Sequence, residues 1–235
     1  MIKTFSEFKR MKKMRILNFN TRFGGEKRTY KIVDYLLDND FDLIILTEFI
    51  KNDKGSEIIE KLIAKGYKTQ PSNKDGDLGP FIASKEPFVA KAVEDRWVEV
   101  YIPWMDLHVL GVYVPSSITG KDMFWKKILD YAEANSDKQV MITGDFNTDS
   151  DSLDKTDHDL NLDKLEELGY INLWKYNSIN EIKPFTVVPP KDDGFKLDHA
   201  YISSGLASIL EDVSVYPDSK IRKPEISDDS PLVVI

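Results

Sequence analysis

From Phe81 to Val114 four short apolar runs, Phe81 to Ser84, Phe88 to Glu94, Trp97 to Ile102 and Leu107 to Val114, follow one another with no room for a helix between them. Such a succession implies strands that pair antiparallel. The chain ahead of it reads differently. Arg15 to Asn20 forms a first strand, Lys27 to Leu37 a helix with Tyr30, Val33, Leu36 and Leu37 at helical spacing, Phe41 to Leu46 a strongly apolar strand, and Ile58 to Ile63 a second helix stopped by Gly66. A chain that changes from alternating strand and helix to consecutive strands does not fit a regular Rossmann or barrel repeat, and no fixed-period repeat is visible.

At 235 residues with 41% hydrophobic content the chain can bury a substantial core. Residues 14–235 are read as one domain. Residues 1–13, where Ile2, Phe5, Phe8 and Met11 recur among Lys3, Lys9, Arg10, Lys12 and Lys13, are read as a basic leader of amphipathic character. Neither a signal-peptide core nor a run of membrane-spanning length is present, so a cytoplasmic location and no stable membrane insertion are expected. Zero cysteine removes disulfides, thiolate metal sites and a thiol nucleophile. A net charge of -8 argues against non-specific coating of nucleic acid, but leaves room for a local basic groove.

The stretch from Val140 to Asp151 is where chemistry is expected. Val140-Met141-Ile142-Thr143 is an apolar run that stops at Gly144 and opens into Asp145-Phe146-Asn147-Thr148-Asp149-Ser150-Asp151. A buried strand ending this way delivers Asp145 and Asn147 at fixed positions, on one side if the chain stays extended. Ordinary turn chemistry explains the same residues. A calcium loop does not, because Ser150 stands where the sharp turn needs glycine and Thr156 where a bidentate Glu belongs.

Further polar residues stand at strand ends or inside strands. Asn20 closes the first strand, and Glu48 follows Leu46, where a carboxylate is expensive unless paired or metal-bound. Tyr113 ends the run before Pro115, Asp198 lies inside the strand Phe195 to Ile202, and Asp228-Asp229 precede the terminal Pro231-Leu232-Val233-Val234-Ile235. Helices are expected over Lys121 to Ala134 and Leu160 to Leu168, and a late strand over Val213 to Tyr216.

Taken in order, Asn20 in LNFNTRFGG, Glu48 in IILTEF, Tyr113 in GVYVPS, Asp145 and Asn147 in ITGDFNT, Asp198 in KLDHAYIS and Asp228 in SDDSPLVV resemble the endonuclease/exonuclease/phosphatase superfamily of exonuclease III-like, metal-dependent phosphodiesterases. The resemblance implies an α/β (α+β) fold, a four-layer α/β/β/α sandwich of two mixed, mainly antiparallel sheets with helices outside. It implies Mg²⁺ or Mn²⁺ held by Glu48, with Asn20 and Asp228 in the metal set. Asp145 would deprotonate the attacking water, Asn147 would position that water or the phosphate, and Tyr113 would hydrogen-bond a phosphate oxygen. Nucleic acid is the leading substrate. A phosphatase or phospholipase acting on inositol or lipid phosphoesters, and a catalytically silent phosphate-binding module, stay open.

Two departures qualify this. The superfamily closes on Ser-Asp-His, whereas this chain carries Asp229 in the histidine position, where a carboxylate would repel phosphate and face Asp198 as a like charge. Three readings stay open: an engineered inactivation, a natural loss of activity, or compensation by His199, His158 or a second metal. His199 is the poorer substitute, since neighbours on a strand point to opposite faces, and both histidines also read as packing or surface residues. In addition, Phe185-Thr186 is followed by Val187-Val188-Pro189-Pro190 instead of the aromatic residues of the superfamily's abasic-site enzymes, so specific abasic-site recognition is not expected.

Overall fold

A computed structural model describes residues 13–72, 75–149, 159–176, 186, 194–210, 213–218 and 231–235. In chain order the strands are β1 (Ile16–Asn20), β2 (Leu43–Ile50), β3 (Lys68–Pro71), β4 (Leu78–Ser84), β5 (Val89–Glu94), β6 (Trp97–Ile102), β7 (Leu107–Tyr113), β8 (Gln139–Asp145), β9 (Tyr170–Asn172), β10 (Asp198–Ser203), β11 (Val215–Pro217) and β12 (Leu232–Val234). The helices are α1 (Thr29–Asp38), α2 (Asp53–Ala64), α3 (Ile118–Ala134), α4 (Asp159–Glu167) and the short α5 (Ser204–Ala207).

Among the described residues the strands form two six-stranded sheets, ordered β11-β12-β1-β2-β4-β3 and β5-β6-β7-β8-β10-β9. Each has one parallel pair at its centre, β1 with β2 and β7 with β8, joined by a helical crossover, while the surrounding pairs are antiparallel. This is the expected sandwich of two mixed sheets. One expectation needs correcting: β4 and β5, adjacent in sequence, do not pair. β4 lies between β2 and β3, and the turn after Ser84 carries the chain into the second sheet. Their alternation suits either sheet, so tertiary pairing alone decides between them.

Alternation along each central strand divides the core into layers. Leu43 and Ile45 of β2, Val109 of β7 and Met141 of β8 fill the space between the sheets. Ile44, Leu46 and Phe49 turn outward onto Ile32 and Leu36 of α1 and Ile58 and Leu62 of α2. On the other side Leu110, Val112, Val140 and Ile142 pack against Trp125 and Ile128 of α3 and Leu162 and Leu165 of α4. Both faces are covered from Leu43 to Leu46 of β2 and from Val140 to Ile142 of β8, which is why these stretches read as continuous apolar runs.

The same alternation puts polar residues between the sheets. Leu17 and Phe19 of β1 face the helices, which leaves Asn18 and Asn20 facing the second sheet. The parallel pairs β1/β2 and β7/β8 end at one shared rim.

Candidate active site

β2 does not end at Leu46, as its apolar pattern suggests, but continues to Ile50. Leu46 pairs with Phe81 and Phe49 with Gly79, so three steps on β2 match two on β4 and one extra residue is inserted. Thr47 and Glu48 both fall between two outward-facing residues. Glu48 takes a left-handed φ of 50°. The bulge turns its carboxylate out of the helix-facing phase and toward the second sheet, where Asn20 Nδ2 donates to Glu48 Oε1 at 3.1 Å. Glu48 Oε2 accepts from the backbone N–H of Phe23 at 2.9 Å.

Asn20 joins the two sheets. Its Nδ2 also donates to Asp145 Oδ2 at 3.0 Å, while its Oδ1 accepts from Arg22 N at 2.8 Å. One amide thus binds two carboxylates that come from different sheets. Asp145 is buried, and its carboxyl is pushed up to about 7, first by that burial and then by the Glu48 charge, against the opposing pull of the Asn147 N–H, the Asn20 amide and Lys121.

The chain does not stay extended beyond Asp145. Asn147 has φ 47°, and its N–H returns to Asp145 Oδ1 at 2.8 Å, so the turn reading and the site reading hold together. Asn147 Nδ2 donates to Val114 O at 2.8 Å, and Lys121 Nζ donates to the Asn147 carbonyl. Tyr113 and Asp198 flank Asp145 on its two neighbouring strands, each in register with it. The Arg96 guanidinium lies 4.4 Å over the Tyr113 ring. Burial, then the Glu48 and Asp145 charges, push the phenol up to about 12. Beside Arg96 opens a cavity of about 610 Å³, whose lining includes Trp97, Pro115, Met123, Phe124 and Lys127.

Asp198 is held through its backbone and its side chain. Its N–H donates to Thr186 Oγ1 at 3.2 Å, its carbonyl accepts Trp174 Nε1 at 3.0 Å, and its Oδ1 accepts Asn18 Nδ2 at 3.3 Å. His199 takes the other face. It is fully buried, its ring meets Phe146 edge-on at 5.5 Å, and its Nε2 donates to Thr148 O. Burial lowers it to about 4, so it is a neutral packing residue.

Asp228, Asp229 and His158 lie outside the described residues. Sequence pattern alone does not single out Asn18, Arg96 or Lys121. Asn18 does carry a signal, a polar residue in the same inward phase as Asn20 on an otherwise apolar strand. Arg96 and Lys121 look like ordinary surface cations until the fold places them.

The donor set suits a hard divalent cation. It consists of carboxylate and amide oxygens, with neither thiolate nor imidazole at the rim among the described residues. Among the described residues no group of three His, Cys, Asp or Glu is compact enough to enclose a metal alone. Mg²⁺ characteristically binds through one or two carboxylates and takes its other ligands from water and substrate phosphate. Glu48, with Asn20 orienting it, fits that pattern. No helix among the described residues is long and apolar enough to cross a membrane.

The architecture matches known structures closely. An AP endonuclease from Archaeoglobus fulgidus superposes with a TM-score of 0.79 at 21% identity, over 95% of this chain and 99% of that one. A 3′ phosphatase, NExo, from Neisseria bound to product DNA hairpin gives 0.77 at 18% identity, over 95% and 99%. Truncated TDP2 from Caenorhabditis elegans gives 0.66 at 16%, over 94% and 96%. At these identities the likeness concerns the fold. No curated protein matches the chain in sequence. A family match nevertheless spans residues 17–228, from β1 through the rim to Asp228, and on that match the chain belongs to the Endonuclease/Exonuclease/phosphatase family.

Proposed function

We propose that this chain is a divalent-metal-dependent phosphodiesterase acting on a nucleic-acid backbone, with its reaction centre at the rim between the two sheets. The observation that carries the reading is the Asn20 amide bonded to both Glu48 and Asp145, which brings a metal-binding carboxylate and a basic carboxylate from separate sheets into one site. Family membership supplies the phosphoester chemistry.

Asp145 accepts the proton of the attacking water, its orientation fixed by the Asn147 N–H and the Asn20 amide. Tyr113, a phenol held in its protonated form, donates to a phosphate oxygen. Asn147 positions the water or the phosphate, and Glu48 with Asn20 holds the cation. When bound, Mg²⁺ or Mn²⁺ offsets the charge that builds up as phosphorus becomes five-coordinate. Asp229, in the position the superfamily gives to histidine, weakens this reaction. Losing one preorganised charge-stabilising group typically costs about 10²–10³ in rate.

The test is a Mg²⁺ and Mn²⁺ cleavage assay, with an EDTA control, of the chain beside its Asp145→Asn and Asp229→His variants. Single- and double-stranded DNA, RNA, an inositol phosphate and a lipid phosphate are the substrates. Cation-dependent cleavage of nucleic acid, lost in Asp145→Asn and raised in Asp229→His, is expected. Preference for an inositol or lipid phosphate would move the substrate class. Cleavage by none of them, with retained binding of one, would make the chain a phosphate-binding module.

A further inference from the structure

The loop leaving β1 is held in an unfavourable conformation by many contacts. Arg22, Phe23 and Glu26 have φ of 50°, 54° and 43°, a region that side chains with a Cβ rarely adopt. Asn20 Oδ1 fixes the Arg22 N–H, Glu48 Oε2 fixes the Phe23 N–H, and Arg28 Nη2 donates to the Arg22 carbonyl at 2.7 Å. Gly25, with φ 78°, lies so close to α1 that a Cβ would come within 2.6 Å of Ile32 Cδ1. A loop held this way presents its side chains in fixed positions.

What it presents is a phenyl ring. Phe23 is 56% exposed, although its own backbone is hydrogen-bonded to the Glu48 carboxylate. Its large apolar side chain therefore stands in water within one side-chain length of the candidate metal ligand. The same loop carries three basic residues, Arg22 and Lys27 exposed and Arg28 half-buried with its guanidinium on the Thr21 and Arg22 carbonyls, against one exposed acid, Glu26, in a chain whose net charge is -8. A rigid exposed aromatic among cations is how proteins bind unpaired nucleotides, the ring stacking on a base while the cations follow the backbone.

We propose that Phe23 is a stacking platform for the base of a nucleotide next to the phosphate held at the Glu48–Asp145 rim, and that the site therefore takes single-stranded or frayed nucleic acid. A base inside a continuous duplex is stacked on both faces and offers the ring nothing. The inference rests on the phosphodiesterase reading above for its phosphate, but its test separates the two.

The probes are a short single-stranded DNA with one cleavable linkage, the same strand lacking the base on either side of that linkage, and bis(p-nitrophenyl) phosphate. Parent, Phe23→Leu and Phe23→Trp are compared with Mg²⁺, and binding of a labelled oligothymidylate is measured separately in EDTA. Phe23→Leu is expected to lower kcat/KM on the intact strand, relative to the small diester, by about tenfold or more. Its effect on the intact strand should exceed its effect on one of the baseless strands by a similar factor, with Phe23→Trp near the parent. Equal losses on every substrate would make Phe23 merely structural and overturn the proposal, as would an unchanged ratio. If nothing is cleaved but Phe23→Leu weakens oligothymidylate binding about tenfold, the hydrolysis reading fails and the stacking site stands. If the oligonucleotide is neither cleaved nor bound, both fail.

Discussion

Asn18 offers a direct measure of how the two sheets are held together at the rim. It is 2% exposed, and its Nδ2 donates across the sandwich to Gly144 O at 3.1 Å and to Asp198 Oδ1 at 3.3 Å. Its Oδ1 is a buried acceptor without a partner among the described residues. Asn18→Ala removes a neutral hydrogen bond, about 0.5–1.5 kcal/mol, and a longer one to a carboxylate, at the lower end of about 1.5–3 kcal/mol. The loss is therefore about 2–3 kcal/mol, with the small cavity adding to it. Asn18→Asp costs more, because the introduced carboxylate faces the Asp198 carboxylate and the Gly144 carbonyl oxygen with no donor between them. That carboxyl would have its folded-state pKa raised, so its proton-linked stabilisation would be present at low pH and lost as pH rises through the raised value. Urea unfolding followed by tryptophan fluorescence reads both variants. The reasoning is refuted if Asn18→Ala lies within about 0.5 kcal/mol of the parent, or if Asn18→Asp at neutral pH is no less stable than Asn18→Ala.

Two further outcomes use the same titration. Gly144 has φ 148°, and a Cβ there would lie 1.9 Å from Val112 O on the paired strand, so Gly144→Ala should cost more than about 3 kcal/mol; near-parent stability would contradict so close an approach of the two strands. His199 is held down to about 4, mainly by burial, so the unfolded chain takes up a proton near 6.5 that the folded chain refuses. The His199 contribution to stability should consequently fall by about 3 kcal/mol as pH drops from 6.5 to 4 and be constant below, so the difference between the parent and His199→Gln should change with pH over that window; identical pH slopes for the two proteins would refute it.

The parts of the fold legible in the sequence are those where a strand is covered on both faces. β8 can be read because Val140 to Ile142 is an unbroken apolar run just ahead of Gly144 and Asp145, with which the strand closes. β3, with the sequence KTQP, and β9, with YIN, escape notice because short edge strands lack that pattern. The residue types at the rim are legible, whereas the means of presenting them are not. Glu48 stands out as an expensive carboxylate, but the bulge that aims it leaves only a slip in spacing between Leu46 and Phe49, and this looks like the end of the strand. Asn18 escapes because its one sequence signal, the phase it shares with Asn20, names no partner until a second sheet is laid against the strand.

The rim owes its composition to a repeat in connectivity that no sequence period reveals. β1, α1 and β2 are followed in the first sheet by antiparallel β4 and β3; β7, α3 and β8 are followed in the second by antiparallel β10 and β9. Equivalent strands supply Asn20 and Tyr113 at their ends, then Glu48 at the bulge near the end of β2 and Asp145 at the end of β8. Each sheet thus brings one of the two carboxylates that the Asn20 amide joins, and neither has both. Of the seven non-glycine residues with positive φ among those described, Arg22, Phe23, Glu26, Glu48 and Asn147 belong to this rim or to the loop against it. Each such residue costs of order 1 kcal/mol or more and persists only where the surroundings over-determine it. Here the surroundings are the strand ends of two packed sheets and the amides of Asn18 and Asn20 that tie them. Any change that lets the sheets slip should therefore release the strained residues and disperse the carboxylates together.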